Sequence, residues 1–313
     1  MPENQTRRIT HGAMMVALFT ILLAISTYIP VLNIATTWFI PLPIAWYSAK
    51  YSRSSSLLVS IVSVAIAFLI GGIMSLPLAV VVVIIGFVIG DAIRTKRSKV
   101  YLFMSTAFAV LISIAIEYVV AVKFFNIDIL KEVVTNFRES YERSNEIVKS
   151  MTGQAPVSTE QLDTMVNTLQ MGMPTIITLL VFFLTLIIIS VNLPLLSRLG
   201  LEVPKFAPFR LLRLPRSFLW YYFAILLITL FFKPDTGSFI YLVVLNLSFL
   251  LSTLFLLQGI SLIHFFMYQQ GWPKWTIVVG TILAFPLSSF VTLLGIADLG
   301  FNIRGLISGM TRK

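Results

Sequence analysis

Apolar residues run through this chain in long blocks, not in the alternation of a half-buried strand or the narrow stripe of a soluble helix. The blocks cover residues 12–32, 34–49, 56–71, 76–93, 100–122, 174–196, 218–232, 238–267 and 275–296. A bilayer hydrocarbon core about 30 Å thick takes about 20 apolar residues of helix. The pattern therefore predicts an all-α polytopic membrane protein with eight or nine spans. Two blocks are interrupted. The second carries Pro41 and Pro43, which predicts a broken helix of the kind that lines a cavity. The last carries Pro286, so that run either crosses or re-enters. The block after Arg7 and Arg8 is longer than a signal-peptide core of about 7 to 15 residues, and further blocks follow closely, so it reads as an uncleaved first helix.

Two polar stretches divide these blocks. Between the fifth and sixth, apolar positions Leu130, Val133, Val134, Phe137, Tyr141 and Val148 recur at helical spacing. After Gly153 and Pro156, Ser158-Thr159-Glu160-Gln161 has the form of a capping box opening a second short helix. Together they predict an outer helical hairpin at 124–172. The other stretch, 198–217, sets Arg198, Lys205, Arg210, Arg213 and Arg216 among leucines and phenylalanines, with prolines at 204, 208 and 215 that forbid one long helix. It reads as a basic interfacial linker on anionic lipid. The expected organisation is a six-helix membrane unit at 1–197 with that hairpin, the linker at 198–217, and C-terminal membrane helices at 218–313.

Charge sets the expected orientation. With the N-terminus in the cytosol, the inner segments up to residue 217 carry thirteen Lys and Arg, against five outside, all in the long hairpin where they count least. This predicts a multi-pass protein of the bacterial cytoplasmic membrane. The tail conflicts: nine full spans would put Arg304, Arg312 and Lys313 outside. The net charge of +10 falls in clusters between apolar runs, so it signals topology and not a nucleic-acid surface. Of 313 residues, 58% are apolar and only 12% are charged, outside the soluble range. The absence of cysteine excludes thiolate chemistry, and two widely separated histidines, His11 and His264, argue against a metal. There is no Walker A, G-x-S-x-G or H-E-x-x-H motif. The expectation is a protein that is not an enzyme and has no cofactor.

The first helix opens T-H-G-A-M-M-V-A-L (Thr10 to Leu18), with Ala13 and Ala17 four apart, and a proline-broken second helix follows. This six-helix pattern resembles the substrate-binding S components of energy-coupling factor vitamin transporters. The resemblance implies docking of a coupling subunit with its ATPases on the Ala13/Ala17 face, where small residues allow a helix to approach closely. Over its length, with the helix ending G-F-V-I-G-D (Gly86 to Asp91) and the closing L-G-I-A-D-L-G-F-N-I-R (Leu294 to Arg304), the chain resembles the YybS-like family of predicted bacterial membrane proteins. The long hairpin and the helices after residue 217 depart from ordinary S components.

Glu117 is the leading candidate for a solute site, because an ionisable group inside a membrane helix is costly and tends to be functional. Asn33, Trp38, Tyr118 and Asn126 should share its outer level, where the resemblance implies substrate binding, although an aromatic belt would also place Trp38 and Tyr118 there. Asp91 has Arg94, Lys96 and Arg97 as ready ion-pair partners. Asp298 and Arg304 should pair if the chain turns between Gly300 and Gly305. Asn246, Gln258 and His264 fall at different depths of one helix. Gly86 and Gly90 suit helix packing. The leading reading is a membrane substrate-binding or transport component for a small solute; its rival is a non-transporting scaffold or regulator that binds proteins or anionic lipid.

Overall fold

The structure, a computed structural model, describes residues 2–153 and 156–310; Arg312 and Lys313, which weigh in the charge reading of the tail, lie outside them. Among the described residues all regular structure is helical, and six helices are long and apolar enough to cross a membrane: Gln5–Tyr28, Arg53–Gly71, Ile73–Arg94, Lys99–Phe125, Thr159–Arg198 and Phe239–Gln269. The remaining three apolar blocks depart from straight spans, and in two of them proline is the cause. The second block forms α2 (Pro30–Thr36), a 3₁₀ turn (Thr37–Phe39) and α3 (Pro41–Lys50), following α1 (Pro2–Tyr28). The last splits into α11 (Lys274–Ala284) and α12 (Ser288–Phe301), bent by 110° around Pro286. The seventh is α9 (Ser217–Leu227) with a π turn (Ile228–Phe232), which stops at Lys233 in the left-handed region.

The chain divides into two compact units, the first comprising residues 1–132 and 178–206 and the second 133–177 and 207–313. In unit 1, α1, α4 (Arg53–Gly71) and α5 (Leu76–Arg94) pack against α3, whose Ile44, Ala45, Tyr47 and Ser48 are buried, and α6 (Lys99–Phe125) packs on α5. Gly86 and Gly90 of α5 permit this. A methyl group at Gly86 would stand 2.6 Å from the Pro41 carbonyl oxygen, and one at Gly90 would strike the Ala45 carbonyl. This is the close small-residue packing that membrane helices use in place of a hydrophobic driving force. The helix directions are set by contacts at both ends. Gly12 meets Val59, and the Tyr28 hydroxyl donates to the Ile70 carbonyl at 2.6 Å, so α1 and α4 run parallel. Short turns make α5 antiparallel to both α4 and α6.

In unit 2, α10 (Phe239–Gln269) is the axis on which α9, α11, α12 and α13 (Ile303–Met310) pack. The hairpin helix α7 (Ile129–Thr152) is amphipathic as predicted, and the Arg138 guanidinium reaches Asp163 at 2.6 Å. The capping box forms with both reciprocal bonds: the Gln161 amide donates to Ser158 Oγ and the Ser158 amide to Gln161 Oε1. The helix it opens is not short. It continues through Pro174 as the 40-residue α8, Thr159–Arg198, and so merges the expected second hairpin helix with the sixth span. The cause lies on another helix. Asn246 Nδ2 donates to the Met171 carbonyl at 2.9 Å and Asn246 Oδ1 accepts from Thr175 Oγ1 at 2.7 Å, supplying bonds around the proline. Gly172 lets Phe249 of α10 approach at the same place. These contacts group 133–177 with the C-terminal helices, so the compact units do not divide at residue 197.

Candidate functional site

An uncompensated polar side chain inside a membrane protein is expensive, because no bulk water is available to satisfy it. Each such atom therefore asks what completes it. Among the described residues the buried side-chain atoms without a hydrogen-bond partner are Thr20 Oγ1, Ser60 Oγ, Ser63 Oγ, Arg94 Nε and Asn192 Oδ1, and all five belong to unit 1. Ser60 and Ser63 are one turn apart on α4, and Thr20 is on the adjacent α1. Serine and threonine in helices usually return a hydrogen bond to the carbonyl four residues back. Ser56 does so to Ser52, but Ser60 and Ser63 do not.

Thr20 and Ser63 each lie eight residues before the end of their helix, about 12 Å from it. Glu117 lies further toward the outer end: 18 residues along the 27-residue α6 from its turn with the 19-residue α5, it stands near the level where α4 and α5 meet, about 12 Å beyond Ser63. The ends of the three helices, Tyr28, Gly71 and Phe125, lie on one side because α1, α4 and α6 run in the same direction. Glu117 is half-buried and its Oε1 accepts from the hydroxyl of Ser113, itself buried, at 3.0 Å. No cation lies within ion-pair distance of it among the described residues. A carboxylate with one neutral donor and a free oxygen can accept from an amine, hydroxyl or amide of a small solute.

The other residues expected at this level have partners of their own. Asn33 donates to the Ser26 carbonyl at 2.8 Å and its side-chain oxygen accepts from Thr37, so it ties the broken second helix to the end of α1. Trp38 is half-buried, and its carbonyl, freed by the break, accepts from Asn192 at 2.9 Å. Tyr118 donates to Asp128, the residue whose side chain caps the start of α7. Asn126 closes α6 in the left-handed conformation at φ 53°. Thus the structure joins Glu117 to Ser113 and gives Asn33, Trp38, Tyr118 and Asn126 separate local bonds. Ala13 and Ala17 are exposed on α1, on the face opposite the buried Gly12, Met15, Val16 and Phe19.

Elsewhere the polar residues singled out from the sequence are engaged. Asp91 accepts both nitrogens of Arg53, at 2.9 and 2.8 Å, and also contacts Arg94; Arg53 is a partner from another helix that the local sequence did not suggest. Asp298 and Arg304 pair at 2.9 Å around a left-handed Asn302. Gln258 donates to Asp298, and His264 contacts Thr281 at 2.8 Å, so these two and Asn246 serve three different contacts. Sequence reasoning missed Thr20, Ser60, Ser63 and Asn192. Ser56, Ser60 and Ser63 recurring on one face of an otherwise apolar helix, and an asparagine in the sixth span, were the available signals.

The profile of a family described as a predicted membrane protein (DUF2232) matches residues 17–299. The Bacillus subtilis (strain 168) protein called uncharacterized protein YybS is 27% identical over 309 residues, covering 97% of this chain and 99% of that relative. No solved structure matches.

Proposed function

The chain belongs to this family of predicted membrane proteins, and from that premise we propose that unit 1 is a membrane-embedded binding or transport component for a small polar solute. It acts without catalysing a reaction. The observation that carries the proposal is the set of buried, unpartnered side-chain oxygens on α1 and α4, with a carboxylate that has no cation nearer the side on which these helices end. A bound solute with hydrogen-bond donors would complete Thr20 and Ser63, and Glu117 would meet it on its way in. The solute this chemistry suits is small and either cationic or rich in hydroxyl or amide groups, entering from the side where α1, α4 and α6 end. With the N-terminus cytosolic, as the charge distribution argues, that side is outside. No ATP-binding motif occurs in the chain, so energy for transport would come from a partner. The exposed Ala13/Ala17 face of α1 would admit the coupling subunit of an ATPase pair, as in the S components the sequence resembles.

The alternative, a non-transporting scaffold or regulator, finds its support in unit 2, whose buried polar groups are fully bonded to one another. One experiment addresses both. Protein isolated in mild detergent from its own membranes is analysed by native mass spectrometry for a retained small molecule, alongside Glu117→Gln and Thr20→Val/Ser63→Ala, and co-purifying proteins are identified. The transport reading expects a retained species that both variants lose, together with an ATPase pair that Ala13→Leu loses. Protein free of small molecules that recovers only envelope or signalling partners contradicts it and favours the scaffold.

A further inference from the structure

An irregular segment that crosses a membrane boundary must have its backbone groups satisfied by something fixed, and residues 209–214 have such an anchor. Ser261 Oγ donates to the Phe209 carbonyl at 2.8 Å, Arg304 Nη1 to the Arg210 carbonyl at 2.8 Å, and the Leu214 amide donates to Gln258 Oε1 at 3.0 Å. Ser261, Gln258 and Arg304 are themselves buried and joined through Asp298. The strap is therefore held at three points, two on α10 and one on α13. It carries Arg210 and Arg213, and Arg216 follows two residues beyond it, so the three recur at a spacing of three. The 3₁₀ turn Phe209–Leu211 has three residues per turn, and Leu212 follows in extended geometry at φ −60° and ψ 127°, so this spacing tends to return to one side.

None of these charges is neutralised. Arg210 stacks on Tyr268 with its guanidinium 3.7 Å from the ring centre, and Arg213 donates to the amide oxygen of Asn302. Arg213 and Arg216 are exposed. α11 returns along the last turns of α10, with Gly280 against Met267, which places Lys274 beyond the end of α10. Among the described residues no carboxylate lies within ion-pair reach of these four cations, and the one acid in the network, Asp298, is consumed by Arg304. Exposed apolar groups flank them: Leu211, Leu212, Tyr268, Trp272 and Trp275. Aromatic residues of this kind mark the headgroup level of a bilayer.

We infer that the strap beside α10 forms a headgroup site for an anionic diacyl phospholipid, with Arg213 and Arg216 facing the phosphate and Leu211 and Leu212 contacting the acyl region. The flanking apolar surface selects a lipid over a free phosphate. The inference does not rest on the solute reading of unit 1.

The test uses full-length protein, delipidated in detergent and titrated with dioleoylphosphatidylglycerol or dioleoylphosphatidylcholine, with bound lipid counted by native mass spectrometry. Phosphatidylglycerol should bind more tightly, by roughly fivefold for each engaged cation. Arg213→Gln/Arg216→Gln should lower its binding to the phosphatidylcholine level, with the melting temperature unchanged. Arg213→Gln alone should give a smaller loss and serves if the double variant does not fold. Equal binding of the two lipids, full retention of phosphatidylglycerol by the substituted proteins, or its displacement by millimolar inorganic phosphate would each overturn the proposal.

Discussion

Both units bury polar side chains, but they treat them in opposite ways. In unit 2, Gln258, Ser261, Asp298 and Arg304 bond to one another and to the backbone of the strap, and Thr175 bonds to Asn246. In unit 1, Thr20, Ser60, Ser63 and Asn192 keep buried atoms with no partner. A closed network fixes a structure, because removing any member strands the rest. An open one costs stability in return for capacity to bind. Unit 2 has the interior of a shape-holding element, and the open interior of unit 1 is the one the proposed binding role requires.

The comparison breaks most visibly if Asp298 is removed. Asp298→Ala leaves Arg304 buried without its carboxylate, and loss of one partner of a buried pair costs about 3–5 kcal/mol. Sharply reduced recovery of folded protein, read by size-exclusion chromatography in detergent, is the expected outcome. Next in size is Gly259→Leu. A side chain there would strike the Val291 carbonyl where α10 and α12 cross, and overpacking of this kind costs about 1–3 kcal/mol. Thermal unfolding followed by circular dichroism checks it, and a melting temperature at the wild-type value would show that the crossing is looser than described.

Asn246→Ala tests the long helix. It removes the side-chain bonds to the Met171 carbonyl and the Thr175 hydroxyl beside Pro174, leaving Thr175 its 3.3 Å bond to the backbone carbonyl of residue 246, at a cost of about 0.5–1.5 kcal/mol for each bond lost. Faster hydrogen exchange confined to residues near 170–175 is expected. The smallest effect on stability belongs to unit 1. Glu117→Gln keeps the shape and a hydrogen bond to Ser113, so melting should shift by less than about 1 kcal/mol equivalent, whereas solute retention is lost. Unchanged retention would detach Glu117 from the site.

What the sequence made legible follows from the range over which each signal acts. The nine apolar blocks, the capping box at Ser158 and the Asp298–Arg304 pair are local patterns, and all are present. Proline marked the breaks at Pro41 and Pro286, since a missing amide acts where it stands. The continuity of α8 through Pro174 was hidden because its support, Asn246, lies some seventy residues away. For the same reason Arg53 was not foreseen as the partner of Asp91. Of the candidate site, Glu117 was legible as a charge within a span. The bare hydroxyls were not, because a serine in an apolar helix ordinarily bonds its own backbone, and only the fold reveals that Ser60 and Ser63 do not.

The contrast between an open and a closed interior is tested most directly by thermal unfolding, in one detergent and without added solute, of Ser60→Ala/Ser63→Ala beside Gln258→Ala/Ser261→Ala. Each pair removes two buried polar side chains from the same class of environment. The unit 1 pair should melt at or slightly above the wild-type temperature, because it removes hydroxyls that bond to nothing, while the unit 2 pair should fall by several degrees. Equal falls in both would show that the hydroxyls of α4 are already satisfied within the protein, and the case for an occupant of unit 1 would fail with them.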